Sequence, residues 1–375
     1  MNLNESILIE AFTASILNYE RCSVSDNKNR GIIYKIKYII WFILLVLLSP
    51  KYKDDSDGFV ACMTPINERR MKQFRPTKEL YRFAKLNASV SAIKRNISVV
   101  SGYTYTQRLR IVFDSITFYL NNRNSLKGYL HFTLEYYAIA KFLNDHRFQE
   151  YITPGMYERY CTLFSYLGKI YGAKIIGVQD GAAVDIGVPA KLYCDEMFAF
   201  DEYEAAIIKK FIKNDDCKFR FTGFESVLTW HHLKKRNKKV LAIASQDWFT
   251  QKTLELINGI MSSPVAKVWD VVIFPHYRES MESYEKAILL YPNLIVEPKK
   301  RFENIDLLVT FYSTIVYDFW AINKELTVFC LQIPGYEPGY YGRKNVHVFT
   351  DVDDMIREII FFDSERGNKR NENSL

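Results

Sequence analysis

The sequence predicts a two-domain α/β protein, and three observations support this prediction. Its 375 residues exceed what one ordinary hydrophobic core accommodates. Short apolar segments alternate with helical patterns along much of the chain, which is typical of parallel sheets covered by helices on both faces. The alternation restarts at Val240, after the basic stretch HHLKKRNKK (231–239), which we interpret as an interdomain linker. We therefore predict an N-terminal lobe at 1–230, a C-terminal lobe at 231–363 and a disordered polar tail at 364–375.

The first lobe combines strand patterns with helical patterns. Apolar residues at helical spacing indicate helices, and Pro154 and Gly172 mark the start and the end of one of them. The segment AKIIGV then has the composition of a buried strand. The predicted helices are 105–122, 127–144, 155–171 and 203–213, and the predicted strands are 58–63, 151–153, 173–178, 197–200 and 218–223.

The second lobe repeats a strand–helix pattern several times. Its strand segments are nearly continuous apolar runs such as VLAIAS and WDVVIF, which indicate strands that are buried on both faces. The predicted strands are 240–245, 269–274, 293–297, 306–310 and 327–331, and the predicted helices are 250–261, 280–290 and 314–323.

Residues 30–53 form an apolar segment with basic flanks. Its centre, Tyr38–Leu48, contains eleven consecutive apolar residues. A membrane-spanning helix needs about 20 such residues, so this run is too short to cross comfortably. Two interpretations remain open: an interfacial helix with lysines at anionic headgroups and Trp41 at the boundary, or a buried helix of the first lobe.

Composition excludes several classes of protein. The net charge is +7, but no nucleic-acid-binding motif accompanies it, so we expect no nucleic-acid partner. The six cysteines are scattered without a CxxC pair, which argues against a zinc site and a disulfide framework. No DxD-type triplet follows a clear strand, so we expect neither a metal nor another cofactor. The first 20 residues lack a basic region before an apolar core, and we expect a cytoplasmic protein.

Polar side chains follow four of the predicted strands, where open parallel sheets bind ligands. Gly181 permits a tight turn beside Asp180, a carboxylate that can act as a general base or simply cap a helix. Hydroxyl groups before a helix can cap it, bind phosphate, or do both. The four segments are Gln179-Asp180-Gly181, Ser245-Gln246-Asp247, Pro275-His276-Tyr277-Arg278 and Tyr312-Ser313-Thr314.

These segments, in this order, resemble bacterial surface-polysaccharide glycosyltransferases of the GT-B type. The stretch YGAKIIGVQDG resembles their first lobe, and VVIFPHYRE followed by IDLLVTFYSTIVYDFWAINKELTVFCL resembles their nucleotide-binding lobe. Sialyltransferases and Kdo-transferring enzymes carry an acidic pair before Gly, a His-Pro pair and a Ser/Thr pair in the same order. The resemblance covers about 150–350 and implies two Rossmann-like lobes with parallel sheets facing a central cleft.

The resemblance implies roles for individual residues. Asp180 would be the general base, His276 would contact the donor phosphate and assist the leaving group, and Ser313 and Thr314 would hold that phosphate. At the remaining positions, Arg278 and His276 form a plausible phosphate clamp, and Ser245 and Gln246 suit a donor-contacting loop. Gln179 and Gly181 form the turn at the cleft. Two positions depart from the pattern: Gln179 replaces the first acid, and Tyr277 stands where the Pro after His is expected.

The sequence thus predicts an inverting, metal-independent glycosyltransferase that acts on a bacterial surface glycan. The expected partners are a nucleotide-activated sugar, with CMP-linked sialic acid or Kdo favoured, a glycan or lipid-linked glycan acceptor, and the inner-membrane surface. We expect the protein to be peripheral on that membrane. Three alternatives remain: a polyol-phosphate transferase of similar fold, a non-catalytic glycan-assembly protein, and a nucleotide-sugar epimerase.

Overall fold

A computed structural model describes most of the chain. The described residues are 31–48, 100–122, 126–146, 149–154, 159–179, 181–185, 192–223, 238–246, 249–276, 279–297 and 305–372. They form two compact units. The described residues up to 179, with 192–199 and 208–221, make up the first unit, and 181–185, 200–207 and those from 222 onward make up the second. The predicted strand at 58–63 and residues 231–237 of the predicted linker lie outside the described residues, and Lys239, the last residue of that linker, is the first residue of a strand.

Within the described residues, the predicted helices and strands recur in the predicted order. The helices are α1 (Ile32–Leu48), α2 (Tyr105–Asn122), α3 (Leu126–His146), α4 (Arg159–Ile170), α5 (Glu202–Lys209), α6 (Thr250–Ser262), α7 (Val265–Val268), α8 (Glu285–Leu290), α9 (Ile315–Trp320) and α10 (Val352–Glu372). The strands are β1 (Glu150–Pro154), β2 (Lys174–Val178), β3 (Val184–Asp185), β4 (Glu196–Ala199), β5 (Lys218–Phe221), β6 (Lys239–Ala244), β7 (Trp269–Phe274), β8 (Ile295–Val296), β9 (Leu307–Thr310), β10 (Thr327–Leu331), β11 (Glu337–Pro338) and β12 (Val346–Phe349).

The first unit combines a parallel sheet with a helical core. Strands β1, β2, β4 and β5 pair side by side in that order, and all three pairings are parallel. Helices α1 to α4 contribute side chains to one hydrophobic core. Gly172 ends α4 as predicted, because its φ of 81° suits a residue without a Cβ. The amide of Ala173 then donates to the Gly168 carbonyl at 2.9 Å.

The second unit contains a six-stranded parallel sheet in the order β12-β10-β9-β6-β7-β8. Its strands are apolar throughout because successive side chains enter two different cores. Along β6, Leu241 and Ile243 join the core that includes α6 and α10. Val240, Ala242 and Ala244 join the core that includes α9. The structure therefore confirms the predicted α/β class with parallel sheets.

The strand order creates a topological switch point in the second sheet. From β6 the chain proceeds to β7 and β8 on one side, and then continues with β9 on the other side of β6. Helix α6, which follows β6, packs in one core, whereas α9, which follows β9, packs in the other. The helices that follow β6 and β9 therefore cover different faces of the sheet, and at such a point open α/β sheets have a ligand-binding crevice at the carboxyl ends of the strands. The Thr310 hydroxyl joins the two strand ends by donating to the Ala244 carbonyl at 3.1 Å.

Several elements differ from the sequence prediction. Helix α10 continues to Glu372, through most of the segment 364–375 for which a disordered tail is predicted. The predicted helix 280–290 begins with a 3₁₀ turn at Met281–Tyr284 before α8. The antiparallel pair of β3 and β11 is unpredicted, because each strand has only two residues. No helix in the described stretches combines the length and the apolar character needed to cross a membrane.

Candidate functional site: the crevice of the second sheet

Glu279 organises the loop that follows β7. Its Oε2 accepts a 2.7 Å hydrogen bond from the backbone amide of His276 and another bond from the Ser245 hydroxyl. Its Oε1 accepts from the hydroxyls of Thr250 at 2.7 Å and Tyr284 at 3.0 Å. Hydrogen bonds to an ionised acceptor are stronger than neutral ones, so this carboxylate ties together the loops after β6 and β7.

Ser245 lies inside this network and is only 2% exposed. Its hydroxyl accepts from the His276 amide at 2.9 Å, and its own amide donates to the Phe274 carbonyl at 3.2 Å. The side chain thus fastens the end of β6 to the loop that carries His276. The predicted donor contact at Ser245 stays a prediction.

Tyr284 is fully buried beneath the same network. Burial raises the pKa of its hydroxyl well above the ordinary value, and the Glu279 carboxylate raises that pKa further. Tyr284 therefore keeps its proton at neutral pH and remains a hydrogen-bond donor. Sequence reasoning missed Glu279 and Tyr284, because only the residues directly after β7 were considered.

The loop after β9 carries Ser313 and Thr314. The Ser313 hydroxyl accepts from the amide of Ile315 at 3.4 Å, within the first turn of α9. The Thr314 hydroxyl instead accepts from the amide of Ala182 at 3.2 Å. Helix α9 has six residues, so its dipole is small and the predicted phosphate site at its N-terminus stays a prediction.

The turn around Gly181 lies against Thr314. A Cβ on Gly181 would be 3.3 Å from the Thr314 hydroxyl oxygen, so the glycine permits a close approach of the backbone. The structure thus brings together two of the predicted site residues that are far apart in sequence. Gln179 is buried, and its backbone amide donates to the Phe198 carbonyl at 2.9 Å within the first unit. Asp180, the predicted base, lies outside the described residues.

Buried Glu204 holds the segment around Ala183 in the second unit. Its Oε2 accepts from the Ala183 amide at 2.5 Å, and its Oε1 accepts from the Tyr317 hydroxyl. The Ala183 carbonyl accepts in turn from the Gly339 amide at 3.0 Å. This set of bonds, together with the β3–β11 pair, fixes the position of the turn at Gly181.

An aromatic cluster lies on the loops that follow β6, β9 and β10, against the core that includes α6. The rings of Tyr312 and Tyr336 are stacked at 5.2 Å and 14°, and the Phe249 ring meets both edge-on at 5.8 and 5.7 Å. All three side chains are partly exposed. Sequence reasoning considered only the hydroxyls near Tyr312 and missed this cluster, because Phe249, Tyr312 and Tyr336 come from three separate loops.

The remaining predicted residues have simpler surroundings. Gln246 is largely buried, and its backbone carbonyl accepts from the Phe249 backbone amide at 2.9 Å. His276 is half-buried at the carboxyl end of β7, whereas Arg278 lies outside the described residues. Among the residues that the structure describes, no group of three His, Cys, Asp or Glu side chains is arranged to hold a metal ion.

Several solved structures are similar to this chain. A lipopolysaccharide outer core galactosyltransferase, WaaB, matches 80% of this chain and 86% of its own, with 11% identity and a TM-score of 0.41. MurG from Acinetobacter baumannii matches 86% of each chain, with 8% identity and a TM-score of 0.38. S. aureus MnaA, solved with UDP, matches 52% of this chain with 11% identity and a TM-score of 0.36. That match spans 60% of MnaA, which is less than two thirds of its length.

No protein-family model matches the sequence, and no curated protein is similar to it in sequence. At identities of 8–11%, the structural likenesses assign neither a donor nor an acceptor to this chain.

Proposed function

We propose that this protein is a GT-B type glycosyltransferase that moves a sugar from a nucleotide donor to a bacterial surface glycan. The observation that carries this proposal is the crevice between β6 and β9. Parallel sheets bind nucleotides at such switch points. Here aromatic rings, hydroxyl, amide and imidazole groups lie on the loops that follow these strands and their neighbours.

The aromatic cluster of Phe249, Tyr312 and Tyr336 is suited to stack against the base or the sugar of the donor. The loop after β7 is held in place by Glu279, so that His276 is positioned before the ligand arrives. In this proposal His276 and Arg278 bind the donor phosphates and stabilise the departing phosphate, while Ser245, Gln246, Ser313 and Thr314 adjoin the donor.

The proposed reaction is a direct displacement at the anomeric carbon. Asp180 removes the proton from the acceptor hydroxyl as the sugar acquires oxocarbenium character, and the configuration at that carbon is inverted. The resemblance of the sequence motifs favours a CMP-activated sialic acid or Kdo as the donor. The proposed acceptor is a glycan on a lipid carrier, and the proposed place of work is the inner face of the bacterial membrane.

Nucleotide binding tests the proposal directly. Purified protein is melted in the presence of CMP, CDP, UDP or GDP, because a ligand that binds only the folded state raises the melting temperature. We expect one nucleotide to raise the melting temperature. The double variant Tyr312→Ala, Tyr336→Ala should bind that nucleotide about tenfold more weakly, since aromatic stacking contributes about 1–3 kcal/mol per base. Phe361→Ala is the control, because Phe361 is an exposed ring on α10.

The pattern of responses then identifies the donor. A shift with CMP that is lost in His276→Ala but kept in His347→Ala supports a CMP-sugar; His347 is exposed on the edge strand β12. A shift with CDP directs the next assay to product mass, which separates a transferred sugar from a transferred polyol phosphate. The absence of a shift with every nucleotide and its sugar contradicts the proposal.

A further inference from the structure

Helix α1 is apolar on the side that faces away from the protein. Phe42 and Val46 bury one side of the helix in the core of the first unit. On the opposite side, Ile33, Ile40 and Leu44 are 68%, 50% and 51% exposed. Their spacing places them on one face, where a surface helix of a globular protein normally carries polar residues.

Helix α2 carries a second exposed apolar stripe. Tyr105, Leu109 and Phe113 are spaced four residues apart and are 61%, 44% and 69% exposed. The helix packs against α1, and the Arg108 guanidinium donates to the Leu47 carbonyl near the end of α1 at 3.4 Å. The two stripes therefore belong to adjacent helices of one unit.

The two helices are also positively charged. The cations are Lys35, Lys37, Arg108 and Arg110. Their single acidic residue is Asp114, which accepts a hydrogen bond from Tyr137 and lies 3.7 Å from the Arg110 guanidinium. The charge that these helices present to solvent is accordingly positive.

Aromatic side chains lie along the N-terminal part of α1. The rings of Tyr34 and Tyr38 stack at 6.0 Å, and the Tyr38 ring lies 5.2 Å from that of Trp41. Tyr and Trp have an apolar body and a polar tip, which suits them to the boundary between headgroups and acyl chains. Lysine stems can likewise lie along an apolar surface while their ammonium groups reach the lipid phosphates.

We propose that α1 and α2 form a docking surface for an anionic lipid bilayer, on which α1 lies in the interface. The apolar stripes would enter the acyl boundary, and the exposed Lys35, Lys37 and Arg110 would contact anionic headgroups. A second copy of the chain is a poorer occupant, because it would bring two surfaces of the same charge together. The inference goes beyond the proposed reaction, since it depends on neither the donor nor the acceptor.

Vesicle binding by the full chain tests this surface. We expect wild-type protein to co-sediment with vesicles of phosphatidylglycerol and phosphatidylcholine more strongly than with phosphatidylcholine alone. The double variant Ile40→Ser, Leu44→Ser and the single variant Phe113→Ser should each weaken that binding by about tenfold or more. The matched control is Leu289→Ser with Leu290→Ser, which removes two exposed leucines from α8 in the second unit and should leave vesicle binding unchanged.

A second measurement reports how deeply α1 enters the bilayer and requires no disruptive variant. Vesicles with brominated acyl chains should quench the tryptophan fluorescence of wild-type protein, and Trp41→Phe should remove most of that quenching. The proposal is overturned if wild-type protein does not bind the anionic vesicles, or if the α1 and α2 variants bind as tightly as the α8 control. It is also overturned if those variants convert a dimer to a monomer while vesicle binding is unchanged, since the surface would then join two copies.

Discussion

Glu279 shows how one buried carboxylate can hold several loops together. Four donors from the loops after β6 and β7 converge on its carboxylate: the amide of His276 and the hydroxyls of Ser245, Thr250 and Tyr284. Ser245 and Thr250 are each more than 25 positions from Glu279 in sequence, so this residue connects segments that are distant along the chain. Its hydrogen bond to the backbone amide of His276 holds that part of the loop in place.

We predict that Glu279→Ala lowers the free energy of unfolding by about 3 kcal/mol, because it removes the carboxylate that accepts from the buried Tyr284 hydroxyl and one of the two acceptors of the His276 backbone amide. Urea unfolding measures this change. The control is Glu282→Ala, since Glu282 is exposed on the neighbouring 3₁₀ turn and should matter little. Equal unfolding free energies for the two variants would show that the network does not hold the loop.

At the scale of elements, ion pairs join neighbouring strands in the sheet of the first unit. Glu196 on β4 accepts a 2.8 Å hydrogen bond from Lys174 on β2 and pairs with Arg220 on β5. The hydrogen bond from Lys174 is the main reason that the pKa of Glu196 is lowered. One carboxylate thus connects three adjacent strands.

This connection predicts a dependence of stability on pH. A carboxylate with a lowered folded-state pKa stabilises the fold above its unfolded-state pKa, about 4.3, and loses that contribution as the pH falls through the folded-state value. We therefore expect wild-type protein to be more stable than Glu196→Gln near pH 7, with the difference shrinking in acid.

Urea midpoints measured from about pH 7 down to about pH 3 check this expectation. Glu325→Gln, at an exposed turn, serves as the control and should show no such trend relative to wild type. A difference between wild type and Glu196→Gln that stays constant across this range would mean that the charge of Glu196 is not the cause.

At the scale of the whole molecule, the second unit is not one continuous piece of chain. It includes 181–185 and 200–207, which precede strand β5 of the first unit in sequence. Phe200 joins the core around α9, and Glu204 is fully buried there. The boundary predicted between 230 and 231 falls outside the described residues and stays a prediction.

This organisation predicts that a fragment of residues 231–375 does not fold cooperatively by itself. It would lack the Glu204 acceptor for the Tyr317 hydroxyl, the β3 partner of β11 and the side chain of Phe200. Circular dichroism during heating, with the full chain as the reference, measures this. A cooperative transition of the fragment at the temperature of the full chain would contradict the prediction.

The sequence by itself determined the elements and the class of fold. Apolar runs such as VLAIAS and WDVVIF, and end signals such as Gly172, act over a few residues, so the longer strands and helices could be placed from their own neighbourhood. The sequence also placed His276, Ser313 and Thr314 at the carboxyl ends of strands, because strand ends follow from strand positions.

Only the tertiary structure decided which of these elements meet. The central position of β6, the approach of Thr314 to Gly181, the convergence on Glu279 and the stacking of Tyr312 with Tyr336 all join residues that are distant in sequence. No local pattern specifies such contacts, since they depend on the strand order and on which face of the sheet each helix covers. The α1–α2 surface has the same origin, because the sequence shows an apolar helix while only packing shows which side remains uncovered.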